Sequence, residues 1–364
     1  MKIKRCRMND FLNSIGNKKI ICFGFGIRAR AMCENYSELL THIDFFIDND
    51  VNKLGESTIR DRTFRIASSD YFLSLKSYDD IVLLITTKFF NEVITQFSNI
   101  EKLNDLDVYI YPLMEEAEEI YEADDCKIER IETFPIPKVI HYCWFGRGEK
   151  GNFAEKCIKS WREKCSDYKI IEWNEDNFDV NINDYVREAY ESKKYAFVSD
   201  FVRLYVLYNY GGIYMDTDVE VIKPLDELLF VEGFTSFETT RYIPTGIMAA
   251  KEHNMWIKDQ LDSYENDSFL DKDGKQILIT NVERITDISK KKHGLIPNGS
   301  KQVLKYGIVI YPRAFFCPKS VVTGKINLSK NTYTVHHFAS SWFPDGIKER
   351  NDELERYIDE IKFL

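Results

Sequence analysis

Asp216 and Asp218 stand two residues apart in the run Gly212-Ile213-Tyr214-Met215-Asp216-Thr217-Asp218, directly behind a pair of glycines. On a regular strand their side chains point the same way, and at a strand end or turn they can converge on one cation. Two carboxylates supply hard oxygen donors, the chemistry of Mg²⁺ or Mn²⁺. Upstream, Asp200 and Arg203 lie three apart, which on a helix gives them a shared face. A D-x-D pair by itself is a common acidic turn. An acid and a base on a helix that feeds straight into that pair form a far more specific arrangement.

The whole stretch Val198–Pro224, VSDFVRLYVLYNYGGIYMDTDVEVIKP, resembles the sugar-binding region of DXD-containing glycosyltransferases of family 32. That family includes yeast initiating mannosyltransferases and bacterial capsule and lipopolysaccharide enzymes, and the glucosylating clostridial toxins share the run more distantly. Ser199, Asp200, Arg203, Gly211, Gly212, Tyr214, Asp216 and Asp218, in register, carry the resemblance. It implies that Asp218 binds a metal directly and that Asp216 meets the ribose, with Tyr214 in the same nucleotide pocket. It also implies that Arg203 meets the diphosphate or sugar and that Asp200 holds sugar hydroxyls.

Two further segments extend the resemblance. Ile136–Gly146, IPKVIHYCWFG, is similar to the start of the family's catalytic domain, where the residue matching Trp144 stacks on the nucleotide base. A tryptophan at a strand exit offers a flat apolar face for that purpose, and a core tryptophan is the alternative. His141 reads as a structural, hydrogen-bonded histidine. Tyr333–Phe343, YTVHHFASSWF, resembles the family's closing H-H-x-x-x-S-W segment. By that match His337 and Ser340 join Asp218 on the metal and Trp342 contacts phosphate, although the toxins carry a carboxylate where His337 stands. Adjacent histidines on an extended strand face opposite sides, so one would point at the metal and the other away, unless the two are simply packed. The resemblance implies a retaining enzyme with Mn²⁺ or Mg²⁺. It would move a hexose or N-acetylhexosamine from a nucleoside-diphosphate sugar, UDP by preference, into an α-linkage. A surface polysaccharide or lipid-linked oligosaccharide is the expected acceptor.

These residues need elements to hold them. Phe201, Leu204, Tyr205 and Tyr208 have helical spacing, Gly211 and Gly212 would close that helix, and Gly212–Met215 reads as a short buried strand. A strand at Val139–Cys143, a helix from Phe153, a strand over Tyr168–Trp173 and a helix from Tyr185 precede it. Two βα units before the D-x-D strand are the order expected of a GT-A fold, with ligands at the carboxyl ends of the strands. Beyond Pro224, Phe234–Glu238 and Tyr242–Ala250 read as strands around a turn. Glu238 is expected to be a solvated turn residue, with contact to an acceptor hydroxyl as its alternative.

The N-terminal part reads as a separate α/β domain. Lys19–Phe25 is an apolar strand flowing into Gly24-Phe25-Gly26 and a helix to about Leu40, and Asp48 follows about twenty residues on, after a second strand Ile43–Ile47. That is the dinucleotide fingerprint of a Rossmann-like domain. Ile81–Thr86 and Val108–Tyr111 supply more strands. The domain is short for a full dinucleotide site, and scaffolding or partner docking is the favoured role. An acidic connector over 116–134 divides residues 1–115 from a transferase domain over 135–364. The chain ends in an amphipathic helix with Ile347, Leu354, Ile358 and Ile361 on one side, expected to dock on protein, with a membrane surface as the alternative.

Composition narrows the function classes. The 364 residues are 44% hydrophobic and 30% charged, enough for full cores in two domains. A net charge of −10 argues against a nucleic-acid partner, since no basic surplus exists to neutralise a phosphate backbone. Eight cysteines without C-x-x-C pairs suggest reduced thiols. With no long apolar run and no apolar core in MKIKRCRMNDFLNSIG, a cytoplasmic enzyme, working at the inner membrane face, is the expectation. Two other classes stay open: a sugar-nucleotide-binding assembly subunit without turnover, and a nicotinamide-dependent enzyme built on Gly24 and Gly26.

Overall fold

Short, largely apolar runs become the inner strands of two seven-stranded sheets, one in each of two units, with more polar strands at the edges. The structure is a computed structural model; it describes all residues except 132–134, 279–280, 321–322, 339–349, 351–352, 355, 359–360 and 362–364. Unit one comprises Met1–Glu118, Ser320–Lys325 and Trp342–Leu364, and unit two comprises Glu119–Lys319 and Ile326–Ser341.

In unit one the strands are β1 (Lys2–Lys4), β2 (Lys19–Phe23), β3 (Ile43–Ile47), β4 (Gly55–Ile59), β5 (Arg62–Ala67), β6 (Ile81–Ile85) and β7 (Asp107–Ile110). Their order is β1-β7-β6-β2-β3-β5-β4, parallel except for β4 on β5. Successive crossovers run outward in both directions from β2, which creates a switch point between β2 and β6. β1, β4 and β5 were not expected from the sequence. The expected helix to Leu40 is broken into Ile27–Asn35 and Leu39–His42.

The glycine turn after β2 is closed by its own protein. Gly24 has φ +101°, and a Cβ there would lie 3.1 Å from Thr86 Oγ1. The Thr86 hydroxyl donates to the carbonyls of Phe23 and Gly24. Asp48, the expected ribose carboxylate, accepts from Phe25 N at 2.8 Å, Asp50 N at 2.9 Å and Lys53 Nζ at 3.1 Å. It therefore serves to tie the glycine turn to the end of β3. Arg28 pairs with Glu115, and Arg30 lies over the Phe25 ring.

The division between the units differs from the expected connector. A helix Tyr111–Asp125 runs through it, and the boundary falls inside that helix between Glu118 and Glu119. Leu113, Met114 and Glu116 are buried, so the acidic stretch is not an exposed linker at its start. The terminal segment also groups with unit one rather than with 135–364. Leu354 and Ile358 are buried in an apolar cluster with Phe90, Val93 and Phe97, with Ile361 packed against it. Ile347 lies outside the described residues.

Unit two holds β8 (Val139–Cys143), β9 (Lys169–Trp173), β10 (Gly212–Met215), β12 (Gly233–Ser236), β13 (Ile247–Ala250), β14 (Gln302–Leu304) and β15 (Ile308–Tyr311) in the order β14-β15-β12-β13-β10-β8-β9. β8, β9 and β10 are parallel. β13 is antiparallel to both β10 and β12, and β12 is parallel to β15. Two reversals through β13 restore the direction, so β9, β8, β10, β12 and β15 all end on one edge. A separate ribbon pairs β11 (Val219–Val221) with β16 (Thr334–His336).

The helix Tyr195–Tyr210 buries Val198, Val202, Leu204, Val206 and Leu207 in the main cluster of this unit, each aliphatic side chain contributing about 1.5–3 kcal/mol. Gly211 (φ +61°) and Gly212 (φ +103°) then reverse the chain into β10. A Cβ on Gly211 would lie 2.8 Å from Glu252 N, and one on Gly212 2.7 Å from Val139 O. Both the backbone angles and the close approaches require glycine. His141 locks this corner. Trp173 Nε1 donates to its Nδ1 at 3.0 Å, so the proton sits on Nε2, 2.9 Å from Gly211 O. Burial pushes its pKa down to about 4, against the bond to Gly211.

Candidate active site

The shared strand edge of unit two gathers the chemistry-bearing residues. β8 leads to Trp144, β10 to Asp216 and Asp218, β12 to Glu238, and β15 to Arg313. Asp216 is fixed by its own backbone N–H on Gly246 O at 2.8 Å, and the chain turns tightly from it, with Val219 N on Asp216 O at 3.0 Å.

Asp216, Asp218 and His336 bring their donor atoms within 4.8 Å of one another. His336 Nε2 lies 3.3 Å from Asp218 Oδ1. Burial works against the imidazolium, but the Asp218 carboxylate beside it prevails and raises the pKa of His336 well above its ordinary value. His336 Nδ1 is buried and finds no hydrogen-bond partner among the described residues. Two carboxylates and one imidazole make a mixed oxygen and nitrogen set; the carboxylates suit hard divalent ions such as Mg²⁺ or Mn²⁺, and the imidazole adds one nitrogen donor. The set fits a divalent cation, which Asp216, Asp218 and His336 would hold.

His337, the histidine expected beside Asp218, is on the other face. β16 pairs antiparallel with β11 so that Val219 stands opposite His336, and His337 N continues the ladder to Asp218 O at 3.0 Å. With side chains alternating, the ring of His337 turns away and meets Glu220 at 2.8 Å. Gly246 makes the room for His336: a Cβ there would lie 2.7 Å from His336 Cε1 and 2.9 Å from Nδ1. Ser340 and Trp342 lie outside the described residues.

Beside this group sits a buried charge network. Arg203 donates from Nε to Ser199 O at 3.2 Å and places Nη2 3.0 Å from Asp200 Oδ1 and 3.4 Å from Asp216 Oδ1. Tyr214 donates to Asp216 Oδ1 at 2.9 Å, and the guanidinium lies over the Tyr214 ring. Arg203 Nη1 is buried with no hydrogen-bond partner among the described residues. An unsatisfied donor of that kind is costly and is ready to meet an anionic oxygen. Burial pushes Asp200 up to about 6 against the pull of Arg203, with Asp216 adding to the rise. Asn281 Nδ2 also donates to Asp200, at 3.2 Å.

Trp144 is half-exposed at the exit of β8, its indole N–H on Gly148 O at 2.7 Å and Lys150 over its ring. Glu238 is half-buried rather than a solvated turn residue. Burial raises its pKa, opposed by His336 and Arg313 and reinforced by Asp216 and Asp218. His336, Gly246 and Asn281 were not singled out for the site. The alternation of β16 could have offered His336 as readily as His337. Asn281 and Gly246 carry no local sequence signal.

Residues 152–235 match a family model described as "Glycosyltransferase sugar-binding region containing DXD motif". The inositol phosphoceramide mannosyltransferase 3 of Schizosaccharomyces pombe is 30% identical over 149 residues, covering 36% of this chain and 41% of that protein. The initiation-specific alpha-1,6-mannosyltransferase of Candida albicans is 26% identical over 178 residues, 44% of this chain and 46% of its own length. The human alpha-1,4-N-acetylglucosaminyltransferase is 36% identical over 66 residues, 18% of each chain. The chain thus spans less than half the length of these curated relatives. Among solved structures, the PaToxG glycosyltransferase aligns with a TM-score of 0.35 at 19% identity, over 48% of this chain and 74% of that one. A helix long and apolar enough to cross a membrane is absent among the described residues. Asp200, Arg203, Asp216 and Asp218 all lie within the residues that match this glycosyltransferase sugar-binding model.

Proposed function

We propose that the chain is a metal-dependent, retaining glycosyltransferase that moves a hexose or N-acetylhexosamine from a nucleoside-diphosphate sugar to a glycan acceptor, forming an α-linkage. The observation that carries this reading is the convergence of Asp216, Asp218 and His336 beside the buried Asp200–Arg203 pair, within and next to a DXD sugar-binding region. A divalent cation bound there supplies charge neutralisation for the departing diphosphate. The protein's own part is positioning and electrostatics. Arg203, with its unpartnered Nη1, binds a diphosphate or sugar oxygen, and Asp200 orients sugar hydroxyls. Trp144 offers a flat face for the base. Ser340 and Trp342 complete the metal and phosphate contacts in this reading.

The fold reading is a GT-A transferase unit carrying a Rossmann-like N-terminal unit that serves as scaffold, since Asp48 is already engaged by the Phe25 backbone. UDP-sugars are the first choice of donor. The mannosyltransferases among the relatives put GDP-mannose beside them. A surface polysaccharide or lipid-linked oligosaccharide acceptor, reached at the cytoplasmic face of the membrane, completes the proposal.

The experiment is a donor-hydrolysis screen over UDP-glucose, UDP-galactose, their N-acetyl forms and GDP-mannose, with Mn²⁺ and with chelator. One donor should release its nucleoside diphosphate with Mn²⁺ and not with chelator, and Asp218→Ala should lose that release while keeping its far-UV circular dichroism. Folded protein that hydrolyses no donor, or does so equally well in chelator, would rule the reading out.

A further inference from the structure

A concavity opens in unit two between the turn after β12 and the helix that begins at Asn281. It has a volume of about 490 Å³ and is lined by Tyr242, Glu283, Arg284, Asp287, Ile288 and Lys291, within the size range of small-molecule sites. One wall is the turn after β12, and the other is the helix Asn281–Ile288 with the π-helix Ser289–His293 that continues it.

Both walls are tied to the candidate active site. The helix begins at Asn281, whose amide holds Asp200. The turn begins at Glu238, whose N–H donates to Tyr242 O at 2.8 Å, and Ile243 N donates to Thr286 Oγ1 at 3.1 Å, which fastens the turn to the helix. The cleft is therefore held in register with the residues assigned to the transferred sugar.

Its lining suits one kind of ligand. Tyr242 is 38% exposed, an aromatic face that can take the C–H side of a pyranose ring. Glu283 and Asp287 lie on the exposed stripe of the helix at i and i+4, where carboxylates can accept from sugar hydroxyls. The two acids are matched by Arg284 and Lys291. Arg284 is already committed to Asp267, to Ser263 O at 2.9 Å and to the Tyr264 ring. Lys291 stands 3.7 Å from Asp287. A lining without net charge favours a neutral ligand over a phosphorylated headgroup. Tyr242 and Ile288 offer too little apolar wall for an acyl chain.

We propose that this cleft is the acceptor site, and that it takes a neutral, unphosphorylated pyranose of the acceptor glycan with Tyr242 as its stacking platform. The proposal rests on the transferase reading above. Saturation-transfer NMR tests it with defined probes: the methyl α-glycosides of mannose, glucose and galactose, and inositol 1-phosphate, each with diamagnetic Mg²⁺ and either UDP or GDP. Wild-type protein should saturate at least one methyl glycoside. Tyr242→Ala should lower that signal at least fivefold, Tyr242→Phe should keep it, and the nucleotide signal should be equal in all three. Nucleotide binding without any glycoside signal overturns the proposal, as does an undiminished glycoside signal in Tyr242→Ala or binding of inositol 1-phosphate alone. Absence of a nucleotide signal from every protein overturns the transferase reading itself, and this proposal with it.

Discussion

Replacing Gly246 by alanine tests the geometry of the proposed metal group with one methyl. The added Cβ would lie 2.7 Å from Cε1, 2.9 Å from Nδ1 and 3.1 Å from Nε2 of His336. The backbone at Gly246 cannot retreat freely, because its carbonyl accepts from Asp216 N at 2.8 Å. The imidazole must therefore swing, and Nε2 leaves its position 3.3 Å from Asp218. Disturbing the support of a metal ligand typically lowers affinity about 10–100-fold, or about 1.4–2.8 kcal/mol. Overpacking itself costs about 1–3 kcal/mol of stability, and the freedom of the ring to move keeps the cost toward the lower end. Mn²⁺ titration followed by electron paramagnetic resonance should show Gly246→Ala and His336→Ala weakened alike, with His337→Ala near wild type. The double variant should bind no more weakly than His336→Ala, since both changes act through one ring. Gly246→Ala binding within twofold of wild type, or His337→Ala binding more weakly than His336→Ala, would refute the reasoning.

Two predictions concern stability. His141 is held neutral, with a pKa near 4 in the folded chain against an ordinary value of 6.5. The unfolded chain takes up its proton first as pH falls, so this contribution is complete above pH 6.5 and is lost between pH 6.5 and 4, up to about 3 kcal/mol. Urea midpoints across that range should fall accordingly, and a His141→Gln variant showing the same pH slope would assign the loss elsewhere. In unit one, Asp48→Ala strips the acceptor from Phe25 N and Asp50 N and should cost about 1–3 kcal/mol in urea denaturation. Donor hydrolysis by the folded variant should be unchanged; a variant that kept its stability but lost hydrolysis would instead give that carboxylate a ligand.

Much of the site was legible because its chemistry is local. The helix face of Asp200 and Arg203, the double glycine and the D-x-D pair lie within one run of chain, where spacing alone sets which side chains share a face. The apolar runs at Ile43–Ile47, Ile81–Ile85 and Val139–Cys143 announced strands for the same reason. Edge strands such as Gly55–Ile59, with exposed polar residues, carried no such pattern.

What the sequence by itself determined was therefore the alternation of His336 and His337, one turned toward the acids and one away. Tertiary structure decided which was which: the ladder puts His337 on the face of Glu220, the tight turn from Asp216 ahead of β11 brings the Asp218 carboxylate to His336 instead, and a missing side chain at Gly246 leaves the ring its place. Asn281 reaches Asp200, and Ile243, beside Tyr242, bonds Thr286 of the helix that begins at Asn281, through contacts between segments far apart in the chain. The terminal residues Leu354 and Ile358 return to unit one for the same reason: an amphipathic face dictates that it be buried, but only the finished fold provides the surface that buries it.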